Sequence, residues 1–161
     1  MQKYYTGIGS RKTPENILEF MSDISLFLDK KGYILRSGGA DGADSAFEKN
    51  AIQKEIYLPW NGFNGRYDNF FEVNEECIKM AEKFHPYWSN LKDSVKKLHA
   101  RNCFQVLGKD LNSPSKFLIC WTPKGEEVGG TSQALRIAKH FNIKIFNLYK
   151  DTDKEYWKKY I

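Results

Sequence analysis

No apolar run in this 161-residue chain approaches the roughly 18–20 residues that span a bilayer. The opening stretch MQKYYTGIGSRKTP carries no apolar signal region either, so a cytoplasmic location is expected. Cysteine is scarce: Cys77, Cys103 and Cys120 are odd in number, far apart and never in a CxxC pair. That argues against a disulfide framework and against zinc, and leaves three reduced thiols acting as small hydrophobes. No metal and no cofactor is expected. Repeats and low-complexity linkers are missing too, and the length suits one domain, so residues 1–161 are expected to form a single unit. Within it, residues 60–110 read as a mainly helical or irregular, insertion-like segment.

What is present is a well-stocked core. Hydrophobic residues make up 41% and aromatics 15%, enough for a substantial interior or an aromatic-lined pocket and too much for a disordered chain. The net charge of +5 is uneven. Residues 1–80 carry 10 basic against 12 acidic side chains, a balance of −2, and residues 81–161 carry 15 against 8, a balance of +7. A basic half suits a polyanionic ligand, either nucleic acid or a nucleotide bearing phosphates.

Apolar periodicity sets out an alternating order. Short strands are expected at Tyr4–Ile8, Tyr33–Leu35, Glu55–Leu58, Phe117–Trp121 and Ile143–Leu148. Between them, Ile17, Phe20, Met21, Ile24, Phe27 and Leu28 keep a helical period, with Thr13 as the N-cap, Pro14 in the first position and Lys31-Gly32 as the stop. Further helices are expected over Ala43–Ala51, Val73–Phe84, Leu91–Leu107, Thr131–Phe141 and Lys154–Tyr160. Asn61–Arg66 reads as a turn-rich excursion, and His85-Pro86 divides two helices, His85 being a lone structural histidine. Strands alternating with helices argue for an α/β, Rossmann-like three-layer fold: a parallel sheet of about five strands, with helices on both faces.

Right-handed crossovers gather the strand C-termini on one edge, where open α/β sheets bind their ligands. Glycine-rich turns fall at those ends after strands one, two and four. Gly9, Ser10 and Arg11 form the first, and Arg11 can make a bidentate phosphate contact. The second, Arg36-Ser37-Gly38-Gly39-Ala40-Asp41-Gly42-Ala43-Asp44, lets backbone approach a ligand at a helix start. Three roles stay open for Asp41 and Asp44: capping the helix, accepting a ribose hydroxyl, or orienting Arg36. In the third, Gly129, Gly130, Thr131 and Ser132 offer backbone N–H groups and hydroxyls as a phosphate cradle, or form only a tight turn with Thr131 as N-cap. Trp60 and Trp121 end strands three and four, where each either stacks on a base or packs in the core. Arg101 and Asn102, on the long helix, are candidates for phosphate and base.

The motifs GIGSR, SGGADGAD and GGT, in that order over about residues 4–148, resemble the SLOG superfamily. That Rossmann-like group includes the Lonely Guy phosphoribohydrolases, the DNA-processing protein A family and nucleotide-sensing domains of bacterial defence systems. Compact single-domain members borne by phages are the most similar in style. The resemblance implies a nucleotide-derived ligand of the ADP-ribose or cyclic-nucleotide type, self-association of copies, and sequestration of a host immune signal in an anti-defence role. It would place the chain in the host cytoplasm if phage-encoded. Lonely Guy enzymes carry PGGxGTxxE, whose Glu serves N-glycosidic cleavage, and Ala134 falls at that position here. The resemblance therefore leans towards binding without chemistry. Asp41, Asp44 and Glu48 are the carboxylates able to substitute if the chain is a nucleotide-cleaving enzyme. The GSR and SGxAxGID patterns of DNA-processing protein A are matched only in part, which leaves nucleic-acid binding as a further alternative.

Overall fold

The computed structural model describes residues 2–161. Five parallel strands, β1 (Lys3–Gly7), β2 (Tyr33–Ser37), β3 (Lys54–Ile56), β4 (Phe117–Cys120) and β5 (Lys144–Asn147), lie in the order β3-β2-β1-β4-β5. The strand order reverses at β1, which pairs with β2 on one side and β4 on the other. Among the described residues there are six α-helices: α1 (Glu15–Lys30), α2 (Ala43–Lys49), α3 (Glu75–Phe84), α4 (Asp93–Leu107), α5 (Thr131–His140) and α6 (Asp151–Lys158). The α/β, Rossmann-like fold expected from the apolar pattern is the one observed.

Strand alternation divides the interior into two layers. Tyr5, Leu35, Ile119 and Phe146 point to one face and pack with Met21, Ile24 and Leu28 of α1, Phe47 of α2 and Trp157 of α6. Leu118, Cys120 and Ile145 point to the other, against Ala100, Cys103 and Phe104 of α4 and Ala134, Ile137 and Ala138 of α5. The helix α3 lies on α4 and α5. Although it falls in the stretch read as insertion-like, α4 covers β1 and β2 directly. Its residues His99–Leu107 are buried without a break. All three cysteines are free and buried.

Helix starts depart from the expected caps. Thr13 does not cap α1: its hydroxyl donates to the Ser10 carbonyl at 2.6 Å, and the helix has no side-chain cap. That bond ties the end of the first glycine turn to its beginning. Thr131 is the first residue of α5 rather than its cap, so the N–H groups of that first turn are left to other acceptors. Asn61–Arg66 is the expected irregular excursion, with a 3₁₀ turn at Phe63–Gly65 whose Phe63 is buried. Among the described residues no helix is long and apolar enough to cross a membrane.

Candidate functional site

A cavity of about 630 Å³ opens at the C-terminal edge of the sheet, beside the β1/β4 crossover. Its floor is the first glycine turn, Ile8–Lys12, and one wall is the turn Val128–Thr131 that begins α5. The α4 residues Val95, Leu98, His99, Arg101 and Asn102 line the cavity too, together with His85, Ala40 and Asp44. The volume matches that of sites for nucleotide-sized ligands.

A polar strut holds these loops together. The Arg101 guanidinium donates from Nη1 to the Gly38 carbonyl, and from the same nitrogen to the Tyr57 carbonyl at 3.2 Å. Its Nε donates to Asn102 Oδ1 at 3.0 Å, and Asn102 Nδ2 donates on to the Gly130 carbonyl at 3.1 Å. Four segments are thereby pinned: the second glycine turn, the end of β3, α4 and the third glycine turn. Gly38 is required by this packing, since a Cβ there would sit 2.7 Å from Arg101 Nη1 and 2.9 Å from Asp44 Oδ2. Arg101 and Asn102 line the cavity, with much of their hydrogen-bonding capacity already committed to the protein.

Charge within the cavity is divided. Arg11 and Lys12 are exposed at its rim and make no ion pair among the described residues. They share the cavity lining with Gly129 and Gly130, where a side chain would meet nothing within 4 Å. Asp44 is the opposite case, 3% exposed in the first turn of α2. Its Oδ2 accepts the Ala40 N–H at 3.2 Å, and its Oδ1 is buried with no partner. Burial pushes its carboxyl up to about 6, against the opposing pull of the Arg101 charge. Burial pushes the His99 imidazole down to about 4, with His85, Arg136 and Arg101 adding to the shift. The His99 and His85 rings lie 4.5 Å apart, and His99 Nδ1 is also buried without a partner.

Of the residues singled out from sequence, Gly9, Ser10, Arg11, Asp44, Arg101, Asn102, Gly129, Gly130 and Thr131 line this cavity. Others lie elsewhere. Arg36 is turned away under α4, donating to the Ser113 carbonyl at 2.6 Å and Ser115 Oγ at 3.1 Å, with Tyr4 stacked 4.0 Å away. Ser37 donates to the Gly7 carbonyl inside the sheet. Gly39 and Asp41 are held by the Asn64 side chain on the outer side of the second turn. Glu48 is paired with Arg66 at 2.6 Å, so of the three carboxylates only Asp44 faces the cavity. Trp60 packs edge-on against Phe63 and Trp121 against Tyr149, and neither side lines the cavity. Ser132 Oγ closes the third turn on the Gly129 carbonyl at 2.6 Å. Ala134, on the inner face of α5, is fully buried in the core.

Lys12, His85 and His99 were not anticipated in the site. The signal was present for His99: Val95, Leu98, His99 and Asn102 follow the helical period and mark one face of α4.

No family model matches the chain, and none of the curated proteins matches it. Among solved structures, the chain is similar to DNA processing protein A from Helicobacter pylori, a structure concerned with that protein's single-stranded DNA binding mode. The TM-score is 0.58 at 20% identity, over 91% of this chain and 64% of that one. At that identity the likeness shows the shared Rossmann-like fold. The chain spans less than two thirds of its neighbour's length.

Proposed function

We propose that the protein is a single nucleotide-binding unit that holds a nucleotide-derived small molecule in the cavity at the β1/β4 edge. Arg11, Lys12 and the first turn of α5 take the phosphates, and Val95 and Leu98 lie against the base. The observation that carries this reading is the 630 Å³ cavity, which joins an unpaired cationic rim to an open helix start. Binding without cleavage is favoured because α5 brings no carboxylate to the site: Ala134 is in the core. The SLOG resemblance extends the reading to an ADP-ribose-type or cyclic nucleotide signal, sequestered by an assembly of copies in a phage anti-defence setting.

A second reading has its own support. The fold is shared with a DNA processing protein A, and residues 81–161 carry the +7 balance that a DNA backbone attracts. Calorimetry with AMP, ADP-ribose and oligothymidylate over a salt series separates the two. The first reading expects nucleotides to bind one per chain and to be recovered intact after heat release, as mass spectrometry would record. Steeply salt-dependent, length-dependent oligonucleotide binding with no nucleotide binding overturns it. Catalytic release of free base would assign an enzyme instead.

A further inference from the structure

We propose that Asp44 makes the cavity selective for a ribose that carries free hydroxyls, so that ribonucleotides are held in preference to 2′-deoxynucleotides. The inference rests on the nucleotide-binding reading above and specifies the sugar.

It starts from an unsatisfied atom. Asp44 lines the cavity, and its Oδ1 is buried without a hydrogen-bond partner, while Oδ2 is fixed by the Ala40 N–H. Arg101, the nearest cation, directs its Nη1 to the Gly38 and Tyr57 carbonyls instead. A buried carboxylate oxygen without a partner is costly, which marks it as waiting for a donor. An ionised carboxylate only accepts hydrogen bonds. It repels phosphate, so phosphate cannot be what completes it. With its carboxyl at about 6, Asp44 is mostly ionised at neutral pH and this exclusion holds.

The position then selects among donors. Asp44 and Arg11 line the same cavity, and the turn that leads into Asp44 packs on the Arg11 backbone, where a Cβ on Gly42 would lie 2.9 Å from Arg11 Cα. The group next to a phosphate in a nucleotide is the sugar, and its hydroxyls are donors. His99, which lines the same cavity, also has a buried Nδ1 without a partner, on a ring that burial keeps neutral at that pH. A ribose hydroxyl supplies the donor that Asp44 Oδ1 lacks. Removing that hydroxyl leaves the carboxylate buried and unpaired again, the circumstance in which a site discriminates strongly against an analogue that lacks a hydroxyl.

The test is calorimetry near neutral pH with AMP, 2′-deoxyAMP and IMP on the wild-type protein, then on Asp44→Asn. The wild type should bind AMP about tenfold or more tighter than 2′-deoxyAMP, with IMP close to AMP. In Asp44→Asn the ratio should fall below about threefold, because the charge that strengthened the hydroxyl contact is gone. Equal wild-type affinities for AMP and 2′-deoxyAMP overturn the proposal while leaving nucleotide binding intact, whether or not the variant folds. A loss that tracks IMP instead shows that Asp44 reads the base amine and also overturns it. An unchanged ratio in a folded Asp44→Asn assigns the preference elsewhere. Failure of all three ligands to bind overturns the nucleotide-binding reading itself.

Discussion

Replacing His99 by glutamine should make the protein more resistant to acid, and replacing Asp44 by asparagine should make it less so. In the folded chain the His99 imidazole is buried, 4.5 Å from the His85 ring and near the Arg136 and Arg101 charges, and its pKa is held at about 4 instead of 6.5. Below pH 6.5 the unfolded chain takes up a proton at this residue that the folded chain refuses, so stability falls as pH drops towards 4. Asp44 works in the opposite direction. Its folded pKa is raised from 3.8 to about 6, so the folded chain binds the extra proton between those values and stability rises as pH drops through them.

Each pH unit of difference is worth about 1.4 kcal/mol. Between about pH 7.5 and about pH 4.5, His99 then costs about 3 kcal/mol and Asp44 returns about 2 kcal/mol. Burial of Glu48, whose carboxyl is also raised, acts in the same direction as Asp44. Over this range the contributions largely offset one another in the wild type. Urea unfolding followed by tryptophan fluorescence at a series of pH values reads each one. Relative to wild type, His99→Gln should gain about 3 kcal/mol on acidification and Asp44→Asn should lose about 2 kcal/mol. Curves for both variants that run parallel to wild type would refute the reasoning, since neither group would then differ in protonation between folded and unfolded chains.

The five strands were readable because each is a short apolar run bounded by polar turns, and buried parallel strands need nothing more. The converging glycine turns followed from the same arrangement, since parallel strands send all their C-termini to one edge. Arg36 shows where that reasoning stops. It adjoins the second glycine turn in sequence, but it is still inside β2, paired in register with Thr6 and Glu55. A residue within a strand projects perpendicular to the sheet, so its side chain goes under α4 to Ser113 and Ser115 rather than out to the edge. Alternation from Leu35, which faces α1, gives this direction; the serines it meets are fixed only by tertiary packing. Asp41 and Asp44 differ for a similar reason. Asp41 lies in the turn before α2 and bonds to Asn64, whereas Asp44 enters the first turn of the helix and faces inward. The Arg101–Asn102–Gly130 strut joins segments with no common local pattern, so the sequence offered the residue types without their partners.

Three substitutions separate scaffold from site. Arg36→Leu should destabilise the fold by about 2–4 kcal/mol in urea, by removing the charged bonds to the Ser113 carbonyl and Ser115 Oγ, while leaving nucleotide affinity per folded molecule unchanged. Gly130→Asp should keep the wild-type melting temperature, since a side chain there meets nothing within 4 Å, yet abolish AMP binding in calorimetry by placing a carboxylate where phosphate is to sit. Gly38→Ala should damage both properties together. Its Cβ would fall 2.7 Å from Arg101 Nη1, and Arg101 is tied to Tyr57 and Asn102, so it can retreat only by straining or breaking those bonds. Overpacking of this kind costs about 1–3 kcal/mol. Any shift of Arg101 passes through Asn102 to the Gly130 turn, and the same Cβ crowds Asp44 Oδ2 at 2.9 Å. Phosphate and sugar contacts should therefore weaken together, although the substituted residue does not itself line the cavity. A folded Gly38→Ala protein with wild-type affinity for AMP would show that the strut does not set the geometry of the cavity.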